Sequence, residues 1–377
     1  MANEADIPLT ISPDGEHLED ALAMCVSGGG YRAMLFHLGS FWYLVYAGLL
    51  KDAARISSVS GGSITSGLLG LRWNALQLGS GGDEDRFRTL VVAPIRKMAS
   101  TTIDVGSVLG GIVGRGSASD RIMKWYDEVL YSGATLQDLP DAPRFVINAT
   151  NVQSGALFRF SKPYARDYRV GEIAQPRLPL SMAVGASSAF PPVLSPVRLK
   201  LQEQEWVAGT GTDLQFPPYT TDVRLTDGGV YDNMGLETVW KRYRTILVSD
   251  AGGKLQAEPS PRADPVRHLL RINGLIDNQV RSLRARQVVS SYENKLRKGA
   301  YWGMWTDPAK YSVTTNLSLP SDKARELAEV GTRLAAMPDD LQERLINFGF
   351  GMAERAVRTY WKADARPANA FVYPRGI

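Results

Sequence analysis

Apolar residues fall along the chain in two kinds of run. Short ones rich in aliphatic and β-branched side chains, residues 22–27 (LAMCVS), 56–59, 144–150 (RFVINAT), 223–226 and 245–249 (TILVS), predict buried strands. Longer ones at 31–50 and 63–76 predict helices. Strands separated by helices imply a three-layer α/β/α fold with a largely parallel central sheet. Ligands of such sheets sit outside the carboxyl ends of the strands, which points to the loops after Ser27, Val59, Thr226 and Ser249.

The pattern changes twice. Residues 79–84 (GSGGDE) read as a polar turn, and residues 106–117 interleave five glycines with apolar residues, either a mobile apolar flap or a plain surface loop. After Gly253 the chain turns Pro-rich and then arginine-dotted and helical, notably over 275–296. The predicted layout is an N-terminal segment at 1–20, a catalytic core at 21–254 carrying a flexible insertion around 79–117, and a mainly helical region at 255–377 packed on the core.

Composition narrows the chemistry. A net charge of +4 on 377 residues is too mild for a nucleic-acid binder, though it slightly favours an anionic surface. The single cysteine, Cys25, excludes an internal disulfide and a Cys-based zinc site, and fits a reducing, cytoplasmic location. Residues 1–12 lack the basic start and apolar run of a signal peptide. The uncharged span 33–50 approaches the length of a membrane helix but carries His37, Gly39, Ser40 and Gly48, and reads as a buried helix. Only His17, His37 and His268 exist, so a histidine-dependent triad or a multi-histidine metal site has few candidates.

The first strand runs into Gly28-Gly29-Gly30-Tyr31-Arg32 at the start of a helix. Bare backbone N–H groups at a helix N-terminus serve either phosphate binding or an oxyanion hole, and the spacing alone does not choose. The dinucleotide fingerprint wants an acid at the end of the second strand, about 20 residues on. Asp52 instead precedes that strand, and Ser60 follows it. Arg32 reads either as a cation positioned beside the loop or as a helix-surface residue.

Ser58-Val59-Ser60-Gly61-Gly62 joins the second strand to the next helix, close to the G-x-S-x-G nucleophile elbow with Ser58 in place of the first glycine. A Ser-rich helix cap gives a similar string. In the elbow reading Ser60 is the nucleophile, and the N–H of Gly61 joins the glycine loop at the oxyanion. A serine hydroxyl needs a base. With no plausible histidine, the best candidate is Asp227, delivered by strand 223–226 into Asp227-Gly228-Gly229; an ordinary Asp-Gly turn is the bland alternative, and Asp250 the rival.

Taken together, Gly28-Gly29-Gly30-Tyr31-Arg32, Ser58-Val59-Ser60-Gly61-Gly62 and Asp227-Gly228-Gly229, in that order, resemble the patatin-like phospholipase family. Ala186-Ser187-Ser188-Ala189-Phe190-Pro191-Pro192, and Asn148-Ala149-Thr150-Asn151 followed by Gly155 and Phe158, add to the likeness, which spans roughly residues 22–253. The resemblance implies a Ser–Asp dyad of Ser60 and Asp227, an oxyanion site of Gly28, Gly29, Gly30 and Arg32, and no metal or organic cofactor. It implies hydrolysis of acyl esters in phospholipids or other lipids, with peripheral contact at the inner membrane face. The chain also resembles bacterial family members that act as membrane-degrading anti-phage effectors switched on by a cyclic nucleotide. In that case Arg267, Arg271, Arg281, Arg284 and Arg286 are candidates for a small anionic activator or for lipid headgroups, against the commoner reading of a solvated helix face. A non-catalytic nucleotide- or phosphate-binding module using the 28–30 loop is the contrasting expectation.

Overall fold

The computed structural model describes residues 18–102 and 118–377. The residues 106–117 expected as a flap or loop lie outside them, apart from which every predicted strand and helix is found.

The chain opens with strand β1 (Glu19–Val26), helix α1 (Gly30–Tyr46), β2 (Ala53–Val59) and α2 (Gly61–Leu76). Short helices α3 (Asp83–Phe87), α4 (Ala93–Ala99) and α5 (Ala118–Tyr126) lead to β3 (Arg144–Asn151), β4 (Leu157–Phe160), β5 (Tyr164–Asp167) and β6 (Gly171–Ala174). Helix α6 (Leu180–Ser187), β7 (Val197–Lys200), β8 (Asp222–Asp227), α7 (Gly229–Asp232), α8 (Glu237–Trp240) and β9 (Tyr243–Asp250) follow. The last part is α9 (Pro265–Glu293), β10 (Lys298–Gly303), α10 (Ser321–Glu329) and α11 (Asp339–Tyr360).

The strands form one mixed sheet in the order β10-β9-β1-β2-β3-β4-β5-β6, with β8 paired to β3 and β7 to β8. The half from β10 to β3 is parallel, as the alternation of strands and helices predicts. From β3 to β6 it is antiparallel, because the links between those strands are too short for a crossover.

Helices cover the parallel half on both faces. On one, α1, α2 and α11 pack over Met24, Ile56, Ile147 and Trp302. On the other, α8 and the C-terminal end of α9 cover Ala23, Cys25, Ile246 and Val248. Residues 31–45 of α1 are all buried, between the sheet, α2 and α11. That accounts for the uncharged span, since a helix apolar on every side needs burial on every side. Gly39 and Gly349 meet where α1 crosses α11, each with its Cα against a carbonyl of the other helix (Ile346 and Phe36), an approach that a Cβ would block. Among the described residues no helix is long and apolar enough to cross a membrane.

The direction of β8 fixes the site. Strand β2 occupies one edge of β3 as far as Asn148. Strand β8 enters the same edge from the opposite end, pairing Leu225 with Asn151 and Asp227 with Ala149, while β4 holds the other edge. The carboxyl ends of β2 and β8 therefore meet head to head, and the residues on either side of the junction are Ser60 and Asp227.

Candidate active site

Ser60 lies between β2 and α2 with φ 51° and ψ −120°, a backbone that costs a non-glycine residue on the order of 1–3 kcal/mol. It occupies the N-cap position, yet its hydroxyl makes no capping bond to the helix. The hydroxyl instead neighbours the Asp227 carboxylate and favours the charged form of that group. A capping role accounts for the sequence string but not for this geometry. The Ser60 N–H donates to Ser187 Oγ (2.9 Å). Ser58, in place of the usual glycine, is accommodated because its hydroxyl accepts from Ser63 Oγ (3.0 Å) and donates to the Val146 carbonyl (3.4 Å).

Asp227 is buried at the end of β8. Its Oδ1 accepts the N–H of Gly229 (2.7 Å), and its own N–H donates to the Ala189 carbonyl (3.0 Å). Burial pushes its pKa up to about 7; the bonds from Gly229 and Ser60 oppose the rise, and the negative charge of Asp277 adds to it. The segment after α6 holds both partners at once, since Ser187 bonds Ser60 and Gly228 (Gly228 N–H to the Ser187 carbonyl, 3.2 Å) while Ala189 bonds Asp227.

The glycine loop and the elbow touch backbone to backbone. The Cα of Gly61 abuts the Gly30 carbonyl, and a Cβ at Gly28 would lie 3.0 Å from Ser60 Cβ and 2.5 Å from Asn233 Oδ1. Among the described residues, the N–H groups of Gly29, Gly30 and Gly61 have no acceptor, while that of Gly28 is taken by the Asn233 carbonyl (3.1 Å). Among the described residues these three donors are free, and the bare Cα of Gly28 leaves clearance beside Ser60.

Arg32 differs from its expected place at the oxyanion site. Its guanidinium is buried and donates to the carbonyls of Ala328 (2.6 Å), Val330 (2.8 Å) and Ala251 (2.8 Å). Burial, then the charge of Arg281, lowers its pKa to about 10, so it stays charged at neutral pH. It ties the glycine loop to the loop after α10, whose Arg333 carbonyl accepts the Tyr31 N–H (3.2 Å). The loop at 28–30 thus has no arginine head facing it from Arg32, which removes a cation that the phosphate-binding alternative would use.

His37 is structural. Its Nε2 meets the Ser27 carbonyl (2.9 Å) and its Nδ1 the Ser249 hydroxyl (2.8 Å), bracing the strand that feeds the glycine loop. Burial pushes its pKa down to about 4, so it is neutral. Asp250, the rival base, has its oxygens occupied by the Gly252 N–H (2.9 Å) and the Tyr301 hydroxyl (2.8 Å), with Arg281 4.0 Å away. Burial alone would raise its pKa, but Arg281 and these two donors outweigh burial and hold it below the usual value.

Of the five arginines expected to meet an anion, four are paired: Arg267 with Asp264, Arg271 with Glu258, Arg281 with Asp250 and Arg284 with Glu237. Arg286 is exposed and donates to the Ser282 carbonyl (3.3 Å). One neighbour of the site was not anticipated. The side-chain amide of Asn233 is wedged among Gly28, Gly229 and Gly252, glycines of the 28–30 loop, the Asp227 turn and the loop after β9. Its signal in the sequence is its place six residues after Asp227 in DGGVYDN, which only becomes meaningful once the three loops are known to converge. Among the described residues no group of three or more acidic, histidine or cysteine side chains is placed to hold a metal ion.

No curated protein matches the chain. Among solved structures, human GIVD cytosolic phospholipase A2 is similar over 90% of this chain and 61% of its own, at 12% identity and a TM-score of 0.47. The same human enzyme in complex with methyl gamma-linolenyl fluorophosphonate aligns over 89% of this chain and 57% of its own, at 14% identity and a TM-score of 0.46. VipD from Legionella pneumophila aligns over 87% of this chain and 66% of its own, at 16% identity and a TM-score of 0.32. This chain therefore spans about three-fifths of the human enzyme's length. The sequence model of the patatin-like phospholipase family matches residues 24–240, more than half the chain and a stretch from within β1 to α8 that carries the glycine loop, the Ser60 elbow and the Asp227 turn, and the chain belongs to that family.

Proposed function

We propose that the chain is a serine lipid acyl hydrolase of the phospholipase A type, with Ser60 as nucleophile and Asp227 as its base. The observation that carries the reading is the pairing of a strained, non-capping Ser60 with a buried carboxylate whose pKa is pushed up to about 7. A base poised near the working pH is what proton transfer from a hydroxyl requires.

In this mechanism Asp227 takes the Ser60 proton as Ser60 Oγ attacks the ester carbonyl. The N–H groups of Gly29, Gly30 and Gly61 hold the tetrahedral oxyanion. The protonated Asp227 then gives its proton to the departing alkoxide as the ester C–O bond breaks, leaving an acyl-Ser60. A water molecule attacks that acyl group, Asp227 accepts the water's proton, and Ser60 recovers it as the fatty acid leaves. No step calls on a metal or an organic cofactor.

The test is labelling with an alkyl fluorophosphonate together with hydrolysis of phosphatidylcholine and of a soluble short-chain ester. Expected are stoichiometric labelling of the parent, none of Ser60→Ala, and loss of hydrolysis in Ser60→Ala and Asp227→Asn at unchanged far-UV circular dichroism. Full activity in folded Ser60→Ala ends the proposal.

A further inference from the structure

Helix α9 inverts the usual arrangement of a surface helix. Such a helix turns its apolar stripe to the core and its charges to water. Here the polar side is bound to the body: Arg281 faces Asp250, Arg284 pairs with Glu237, Asn278 Oδ1 accepts the Leu255 N–H, and Arg271 donates to the Gln256 carbonyl. Only Val288 and Ser291 of its 29 residues are buried. Outward stand Leu269 (59% exposed), Ile272 (39%), Ile276 (54%), Val280 (40%) and Leu283 (57%). Their spacing of three and four residues puts them on one face, a stripe about 21 Å long at the α-helical rise.

We infer that this stripe is the surface by which the protein docks on a lipid bilayer. Three observations choose a bilayer over other occupants. First, the stripe adjoins the reaction site: α9 contacts α7, which directly follows the Asp227 turn, and Asp277 of α9 is near enough for its charge to act on Asp227. Whatever covers α9 therefore lies close to the turn that carries Asp227. Second, large apolar side chains also stand exposed beside Asp227, at Val230 (56% exposed), three residues after it, and Phe190 (68%), next to the Ala189 carbonyl that bonds Asp227. Third, with Arg267, Arg271, Arg281 and Arg284 paired, Lys254, Arg262 and Arg286 form no salt bridge among the described residues, which leaves cations for anionic headgroups. A row of large apolar side chains beside basic residues is the composition of a helix lying in the interface plane. The inference rests on the lipid-ester reading of the site.

The test uses Ser60→Ala protein, so that vesicles stay intact, in sedimentation with vesicles of equal parts phosphatidylglycerol and phosphatidylcholine and with phosphatidylcholine alone. The triple change Leu269→Gln, Ile276→Gln and Leu283→Gln is expected to weaken vesicle binding about tenfold or more. In the Ser60 parent it should cut vesicle hydrolysis similarly and leave the soluble ester untouched. Since Cys25 is buried, Ile276→Cys also accepts an environment-sensitive dye selectively, and its emission should shift to the blue on vesicles. Undiminished binding by the triple variant overturns the inference, as does unshifted dye emission from vesicle-bound protein. So does a dimer that the triple change splits while vesicle binding persists, which would assign the stripe to a second copy. A parent inactive on the soluble ester sinks the catalytic reading instead, and the Ser60→Ala binding data still decide the stripe.

Discussion

Two turns in this molecule are built alike and come out chemically opposite. Asp227 ends β8 and Asp250 ends β9; both are buried, and in both Oδ1 accepts the N–H of a glycine two residues on. The difference lies in what else reaches each carboxylate. Asp250 receives the Tyr301 hydroxyl and the charge of Arg281, and is held in its charged form. Asp227 neighbours the Ser60 hydroxyl and, among the described residues, no cation, and its pKa climbs to about 7. In the proposed mechanism, two carboxyl groups driven apart by their surroundings divide the roles of base and brace. The Asp-x-Gly turn, common to both, carries no functional information by itself.

Exchanging each aspartate for its amide is the strongest way to break this contrast. Asp227→Asn should lose about 10²- to 10⁴-fold in kcat/KM, the usual range for a general base, while Asp250→Asn should remain within about tenfold of the parent. Equal losses in the two variants would dissolve the distinction. The free parent should show kcat/KM rising with pH and levelling above about 7, where Asp227 is ionised.

Stability should move the other way. Arg281→Met leaves Asp250 as a buried carboxylate without its cation, and a loss of about 3 kcal/mol in chemical denaturation is expected at neutral pH. Because the folded pKa of Asp250 is depressed, its contribution is present above the unfolded value near 3.8 and shrinks as the pH falls through the folded one. Asp227 is the reverse case. Its raised pKa makes ionisation cost stability progressively as pH rises from 3.8 toward about 7. Asp227→Asn should therefore be more stable than the parent, by on the order of 4 kcal/mol at pH 8, with the gain fading as the pH drops toward 4. A gain independent of pH would mean that ionisation is not its source.

The smallest expected effect is at Ser187, which bonds the Ser60 N–H and the Ser63 hydroxyl. Ser187→Ala should cost about 1 kcal/mol of stability and a few-fold in kcat with KM unchanged, since it loosens the elbow and leaves substrate contacts alone. A changed KM at constant kcat would place Ser187 at the substrate instead.

Much of this was legible in the sequence because it is local. Strands β1, β2, β3, β8 and β9 and helices α1 and α2 announce themselves in runs of apolar residues, and glycine-rich turns at their ends mark where a backbone must bend sharply. Ser60, Asp227 and the glycines at 28–30 were identifiable for that reason, and so was the shortage of histidine. The antiparallel strands β4 to β7 and strand β10 were missed, being short and alternating rather than continuously apolar, with β10 set in an otherwise helical stretch.

Only the tertiary structure could decide the rest, because strand direction and side-chain partners depend on residues far apart in the chain. The head-to-head meeting of β2 and β8 requires β3 as a shared edge. Arg32 looks from the sequence like part of the oxyanion loop, and its partners at Ala328 and Val330 lie almost 300 residues away. The apolar residues of α9 read as an ordinary helical pattern until the ion pairs at Arg281 and Arg284 show which side faces the body. Local spacing specifies which groups are available; the long-range contacts set which way they point, and with that their charge and their chemistry.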